Sequence, residues 1–171
     1  MLVAAVSFAA VLALSAQVRI PLPFTPVPIT LQTLALYVGA AWLGARIALA
    51  GLGLYVGAAL LGIPVMAGLR GGAGAFAGAT GGYILGWFIA VLLLSRWLDG
   101  ASPRPVRAAA TMAAGSVVIL ACGALHLGLL LDLSPAEAIL LGVAPFIPGD
   151  ALKILVASAA VRRWPNPFSL R

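Results

Sequence analysis

Where charge is absent constrains this chain most. Uncharged apolar stretches follow one another, separated by single arginines or arginine pairs. A membrane-spanning helix needs about 20 mostly apolar residues, and residues 1–18 form the first such stretch. The run from Arg19 to Arg46 holds a second, but it opens with Pro21-Leu-Pro-Phe-Thr-Pro-Val-Pro28. Fixed φ angles and missing N–H groups exclude regular helix there, so the second span is expected at 29–45. Residues 47–63 make the third, closed by Pro64. Residues 70–82 are glycine-rich and read as a loop. Residues 83–95 form the fourth span and 108–131 the fifth. Ser134-Pro-Ala-Glu137 has the form of a capping box with proline at the first helical position. A helix should start there, be broken by Pro145 and Pro148-Gly149, and resume behind Asp150 as its cap. This last helix should run to about Val161 and end at Arg162-Arg163. The first stretch lacks the basic start of a secretory leader and is long for a leader core, so it is expected to be retained.

Composition supports the same class. Apolar residues make up 63% and charged residues 8%, against about 25% charged in a soluble domain. The net charge of +6 does not indicate nucleic acid, because the arginines are scattered between apolar runs instead of forming a basic face. They read as markers of the headgroup level. Six spans put both termini on one side with Arg46, Arg96, Arg104, Arg107, Arg162, Arg163 and Arg171. The other side holds Arg19 and Arg70 with the acids Asp132 and Glu137. Arginine excess marks the cytoplasmic side. The expectation is an all-α polytopic membrane protein with six transmembrane helices and both termini cytoplasmic. Residues 1–163 would be a single domain and 164–171 a cytoplasmic tail. The proline-rich and glycine-rich segments then share the outer side. Irregular backbone at membrane depth is tolerated only where protein covers it or a cavity wets it, so an outward pocket roofed by these segments is expected.

Asp150 and Lys153 are the strongest candidates for function. An ionisable residue in a span is costly, by about 2.5–3.5 kcal/mol on insertion scales, and residues three apart share a helix face. They form either a ligand site or a self-contained pair that pins a kink. Lys153 is the sole lysine, whereas every presumed surface cation is arginine. The loop from Arg70 to Tyr83 offers close backbone approach through its glycines and hydroxyls from Thr80 and Tyr83. It has no P-loop pattern for nucleotide. Gly74, Gly78, Gly82 and Gly86 recur every fourth residue, which also suits a helix-packing seam. Arg70 could meet an anion or reach the headgroups. Thr30, Gln32 and Thr33 enter the second span, and Gln32 serves either a ligand or a neighbouring helix. Ala5, Ala9 and Ala13 form a small-residue stripe for internal packing or a partner helix. Cys122 stands alone and forms no disulfide within the chain. His126 has no companion at ligand spacing, so no metal site is expected, and no nucleophile set supports an enzyme.

Five segments together resemble the BioY family, the biotin-specific S-components of energy-coupling-factor (ECF) transporters. They are Thr25-Pro-Val-Pro-Ile-Thr-Leu-Gln-Thr33, Gly62-Ile-Pro-Val65, Arg70-Gly-Gly72, Ala79-Thr-Gly-Gly-Tyr83 and Pro145-Phe-Ile-Pro-Gly-Asp-Ala-Leu-Lys153. The resemblance implies a multi-pass protein of the bacterial inner membrane that captures biotin at the outer face, with biotin as cargo and no cofactor. It implies binding positions at Asp150, Lys153, Thr80, Gly81, Gly82 and Tyr83, with Arg70 beside them. It also implies docking of the Ala5, Ala9 and Ala13 stripe on a transmembrane T-component, completed by two cytoplasmic ATPases. Biotin's chemistry suits these residues. Asp150 can accept from the ureido ring and Lys153 can donate to it. Tyr83, Trp87 and Phe76 suit the thioether ring and valeryl chain. Arg70 or Lys153 could meet the carboxylate. The alternatives are an S-component for another vitamin, a ligand-free membrane assembly protein and a membrane enzyme.

Overall fold

A computed structural model describes residues 1–98 and 104–163 of the protein. The expected tail, 164–171 with Arg171, lies outside the described residues. The chain is mostly helical. It runs α1 (Leu2–Gln17), β1 (Arg19–Ile20), β2 (Ile29–Thr30), α2 (Gln32–Leu60), α3 (Ala73–Ala77), α4 (Gly81–Leu98), α5 (Pro105–Leu131), α6 (Pro135–Gly142), a 3₁₀ turn (Ala144–Phe146) and α7 (Ile147–Arg163).

Among the described residues four helical stretches are long and apolar enough to cross a membrane: Gln32–Leu60, Gly81–Leu98, Pro105–Leu131 and Pro135–Arg163. Leu2–Gln17 is a shorter apolar helix. The first of the four is folded back on itself. Gly44 has φ 70° and ψ 168°, a conformation open to glycine and strained for other residues. Gln32 Nε2 donates to Tyr55 Oη at 2.8 Å, although a straight helix would separate them by about 35 Å. Residues 32–43 and 45–60 are therefore antiparallel arms that meet at Gly44. Both arms press on α1 through glycine. A Cβ at Gly39 would overlap the Phe8 ring, and one at Gly51 would stand 2.8 Å from Phe8 Cδ1.

Leu12, Leu36, Tyr37, Leu52, Leu94, Met112 and Leu127 fill the interior, while Leu2, Leu14, Leu129 and Val106 are among many large apolar side chains exposed on the outside. An apolar exterior over an apolar core suits hydrocarbon, not water. Ser95 Oγ donates to Ala40 O at 3.2 Å, which joins the end of α4 to α2 near its reversal. Lys153 Nζ donates to Thr33 Oγ1 at 2.9 Å, which joins the start of α7 to the start of α2. One end of the bundle thus gathers Arg46, Arg96, Arg104, Arg107, Arg162 and Arg163. The other gathers the irregular segments with Arg19, Arg70, Asp132 and Glu137.

The structure corrects several local expectations. The proline-rich segment is closed at its base by a two-residue antiparallel ladder, Arg19 opposite Thr30 and Ile20 opposite Ile29, so the chain is not purely helical. The glycine-rich segment contains α3, and α4 begins two residues before Tyr83. The capping box of α6 forms: Ser134 N donates to Glu137 Oε2 at 2.9 Å, and Glu137 N donates to Ser134 Oγ at 3.4 Å. The last helix starts at Ile147, before Pro148-Gly149. Proline in a first turn lacks only an N–H that would have no partner anyway. Asp150 is therefore inside the first turn of α7, not its cap, and its carboxylate is free for other partners.

Candidate functional site

The two irregular segments and the starts of α2, α4 and α7 enclose a cavity at the loop-bearing end. Its walls come from Pro28, Thr30, Gln32 and Thr33, from Met66 and Ala67, from Thr80, Tyr83 and Trp87, from Ile119 and Leu120 of α5, and from Phe146, Asp150 and Lys153. The cavity has a volume of ≈ 70 Å³, several times the roughly 10–15 Å³ that admits one water, so it has room for a small molecule. The lining is mostly apolar with a few polar groups converging, the composition of small-molecule sites in general.

The Asp150–Lys153 couple lies in the wall, and both residues are buried (5% and 8% exposed). Lys153 Nζ donates to Asp150 Oδ1 at 3.1 Å. Each partner is also held by a different helix. Ser116 Oγ of α5 donates to Asp150 Oδ2 at 2.6 Å, and Thr33 Oγ1 of α2 accepts from Lys153 Nζ at 2.9 Å. Charged groups taken out of water need such partners to offset their desolvation. The set is not saturated. An ammonium has three donors and two are occupied, and the carboxylate keeps acceptor positions beyond the two it uses. A guest with one polar edge can complete both.

The remaining wall is aromatic. Tyr83 Oη donates to Gly142 O at 2.7 Å, so its hydroxyl ties α4 to α6 and its ring supplies surface. Phe146 meets that ring edge-on, with centroids 5.9 Å apart. Trp87 packs by Tyr55 at 6.4 Å, and Tyr55 in turn holds the Gln32 amide. The Trp87 indole N–H is buried without a hydrogen-bond partner among the described residues. Buried polar groups are normally paired, which makes this donor unusual in a cavity wall.

Of the expected site residues, Asp150, Lys153, Tyr83, Thr80, Gln32 and Trp87 line the cavity, whereas Gly81, Gly82, Arg70 and Phe76 do not. A Cβ at Gly81 would overlap Phe76 O, and one at Gly82 would overlap Cys122 O and the His126 side chain. Gly81 thus makes room for the α3 backbone, and Gly82, with Gly86 on Ile119, lets α4 lie close on α5. His126 has its place here: Nε2 lies 3.0 Å from Gly78 O and must donate to it, since a carbonyl only accepts. Phe76 is half-buried against the core. Arg70 is exposed and pairs with Met66 through its backbone. Ala5 is buried against α2 at Gly51, while Ala9 and Ala13 are half-buried. Ser116 was not among the sequence candidates. A lone hydroxyl in an apolar span does not name its neighbour, and only the packing of α5 on α7 does so.

The sequence profile of the BioY family matches residues 1–169. The chain is 37% identical to the biotin transporter BioY of Rhodobacter capsulatus over 90% of this chain and 86% of the relative. It is 34% identical to the biotin transporter BioY of Rhizobium etli over 88% and 85%. Its fold superposes on the crystal structure of the S-component for biotin from an ECF-type ABC transporter. The TM-score is 0.87 at 26% identity, covering 95% of this chain and 88% of that one. With a family profile spanning nearly its whole length and two such relatives, the chain belongs to the BioY family.

Proposed function

We propose that this chain captures biotin as the substrate-binding membrane subunit of an uptake transporter and performs no chemistry on it. One observation carries the reading: a buried carboxylate–ammonium couple with spare hydrogen-bonding capacity in an otherwise apolar cavity. The ureido ring of biotin offers two N–H donors and a carbonyl, the complement of Asp150 and Lys153. Its fused rings and chain suit Tyr83, Trp87 and Phe146. Relatives named as biotin transporters support the same assignment.

In this reading the chain crosses the bacterial inner membrane six times, by α1, the two arms of α2, α4, α5 and α7. The arginine-rich end and both termini are cytoplasmic, as the positive-inside bias requires. Cargo enters from the outer face. The chain contains no nucleotide-binding motif, so energy for uptake comes from elsewhere. The proposed source is a T-component with two ATPases. The docking face proposed for it is the α1 stripe of Ala5, Ala9 and Ala13, of which Ala5 borders a surface groove with Ile47, Ala50 and Gly53.

Calorimetry on the purified protein tests the reading. Stoichiometric biotin binding is expected, and Asp150→Asn should weaken it by about 1–3 kcal/mol, roughly 5- to 150-fold. Unchanged affinity in that variant would remove the couple from the site. A tighter response to a different vitamin would replace biotin as cargo and keep the architecture.

A further inference from the structure

The arginine-rich end of the bundle holds charge that the chain does not balance. Of its four acids, Asp132 and Glu137 lie at the opposite end, and Asp150 is held by Lys153 and Ser116. Asp99 is the one acid left for Arg46, Arg96, Arg104, Arg107, Arg162 and Arg163. Among the described residues the salt bridge is Lys153–Asp150, and none of these arginines forms one. Two of the six border a groove. Where the end of α7 meets the start of α5, Arg162 and Arg163 line it with Ser158, Ala159 and Pro105. The small side chains of Ser158 and Ala159 leave it open. Ser158 Oγ donates to Leu155 O at 3.0 Å within its own helix, so the side-chain donors left to the groove are the two guanidinium groups. Each carries five N–H donors, and both are exposed.

The groove continues into an apolar stripe on the same helix. Leu152, Leu155, Ala159 and Arg162 are spaced three or four residues apart, which puts them on one face. Leu152 and Leu155 are exposed. From Leu152 to Arg163 the helix rises about 16 Å, close to the roughly 15 Å of hydrocarbon in one leaflet. Cationic donors at the headgroup level, with apolar surface running from them toward the bilayer centre, fit a phospholipid. A free phosphate would use the arginines and leave the leucines uncovered. Basic pockets between spans on the cytoplasmic side suit anionic headgroups in particular.

We infer that the groove between α5 and α7 binds an anionic phospholipid of the cytoplasmic leaflet, with its phosphate at Arg162 and Arg163 and an acyl chain along Leu155 and Leu152. A guanidinium presents paired N–H donors matched to phosphate oxygens. The inference takes from the proposed function only that this end is cytoplasmic, and it needs nothing of the cargo.

Native mass spectrometry of the full chain, released from neutral detergent with added lipid, tests it. The wild type should bind phosphatidylglycerol more tightly than phosphatidylcholine with the same acyl chains. Arg162→Gln together with Arg163→Gln should weaken phosphatidylglycerol binding by about tenfold or more and phosphatidylcholine binding by less than about threefold. Ala159→Leu fills the groove and keeps both charges. It should also weaken phosphatidylglycerol binding, and it carries the test if the double variant does not fold. Arg46→Gln removes a charge from the same end outside this groove and should stay within about threefold of wild type. Equal binding of the two lipids by the wild type, an equal loss in Arg46→Gln, or unchanged binding in Ala159→Leu would reduce the arginines to diffuse charge and overturn the inference. So would displacement of phosphatidylglycerol by inorganic phosphate at equal concentration, which would make this a site for free anions. Each of these results leaves the biotin reading standing, and a failure to bind biotin leaves the lipid site standing, so the two fail separately.

Discussion

Two regions stand out on this chain as places for a ligand, the Asp150–Lys153 couple and the glycine run ending in Gly81-Gly82. The fold uses them differently. The couple lies in the cavity wall, held by Ser116 and Thr33 from two other helices. The glycines lie behind the wall, where Gly82 touches Cys122 and His126 of α5. The difference lies in what each residue type reveals. A charge inside an apolar chain is expensive wherever it is placed, so its presence implies a specific arrangement around it. Glycine implies only that something approaches closely, and a neighbouring helix satisfies it as well as a ligand does.

Breaking the couple from one side should have the largest effect. Lys153→Met leaves Asp150 buried with Ser116 alone, and loss of one partner from a buried pair costs about 3–5 kcal/mol. Thermal unfolding in detergent should show a marked fall for that variant. The double replacement of Asp150 and Lys153 by apolar residues should be more stable than the single while binding no biotin. A double variant that still bound biotin would mean the couple serves only itself.

A smaller effect, of a different kind, is expected on the glycine side. Gly82→Val pushes a side chain into the α5 backbone, and overpacking costs about 1–3 kcal/mol. The melting temperature should fall, while the protein that remains folded keeps stoichiometric biotin binding. If stability held and binding vanished, Gly82 would belong to the site and the contrast would fail.

The subtlest change sharpens the couple itself. Ser116→Ala removes a hydroxyl that holds Asp150 before any ligand arrives, so biotin binding should weaken by only about 0.5–1.5 kcal/mol. Ser116→Thr should restore most of it, because the hydroxyl is what matters. Equal binding in wild type and Ser116→Ala would show that Lys153 alone orients the carboxylate.

Much of this was legible in advance because it follows from local chemistry. The apolar stretches, the α6 capping box and the placement of arginine at helix ends depend on residues close together in the chain. The proline-rich segment could be excluded from helix, yet its pairing of Arg19 with Thr30 could not be read, since it joins residues 11 apart through a turn of unspecified shape. The start of α7 was placed too late because Pro148-Gly149 suggests a break, whereas a proline in a first turn costs no hydrogen bond. Residue type and the family resemblance point to Thr80, Tyr83, Gln32 and Trp87, and all four line the cavity, but the division of labour within them is not legible in the sequence. The Tyr83 hydroxyl is taken by Gly142 and the Gln32 amide by Tyr55.

By itself the sequence determined the solvent this protein folds in, the approximate limits of its helices and the one charged couple its interior must accommodate. Burial costs of apolar surface and of charge are properties of the residues themselves. Tertiary structure alone decided that α2 reverses at Gly44, that Ser116 meets Asp150 across 34 positions, and that the exposed Arg19 rests on Gly68. Those outcomes depend on which helix faces pack together, and that choice is a sum over many weak contacts that no single segment encodes.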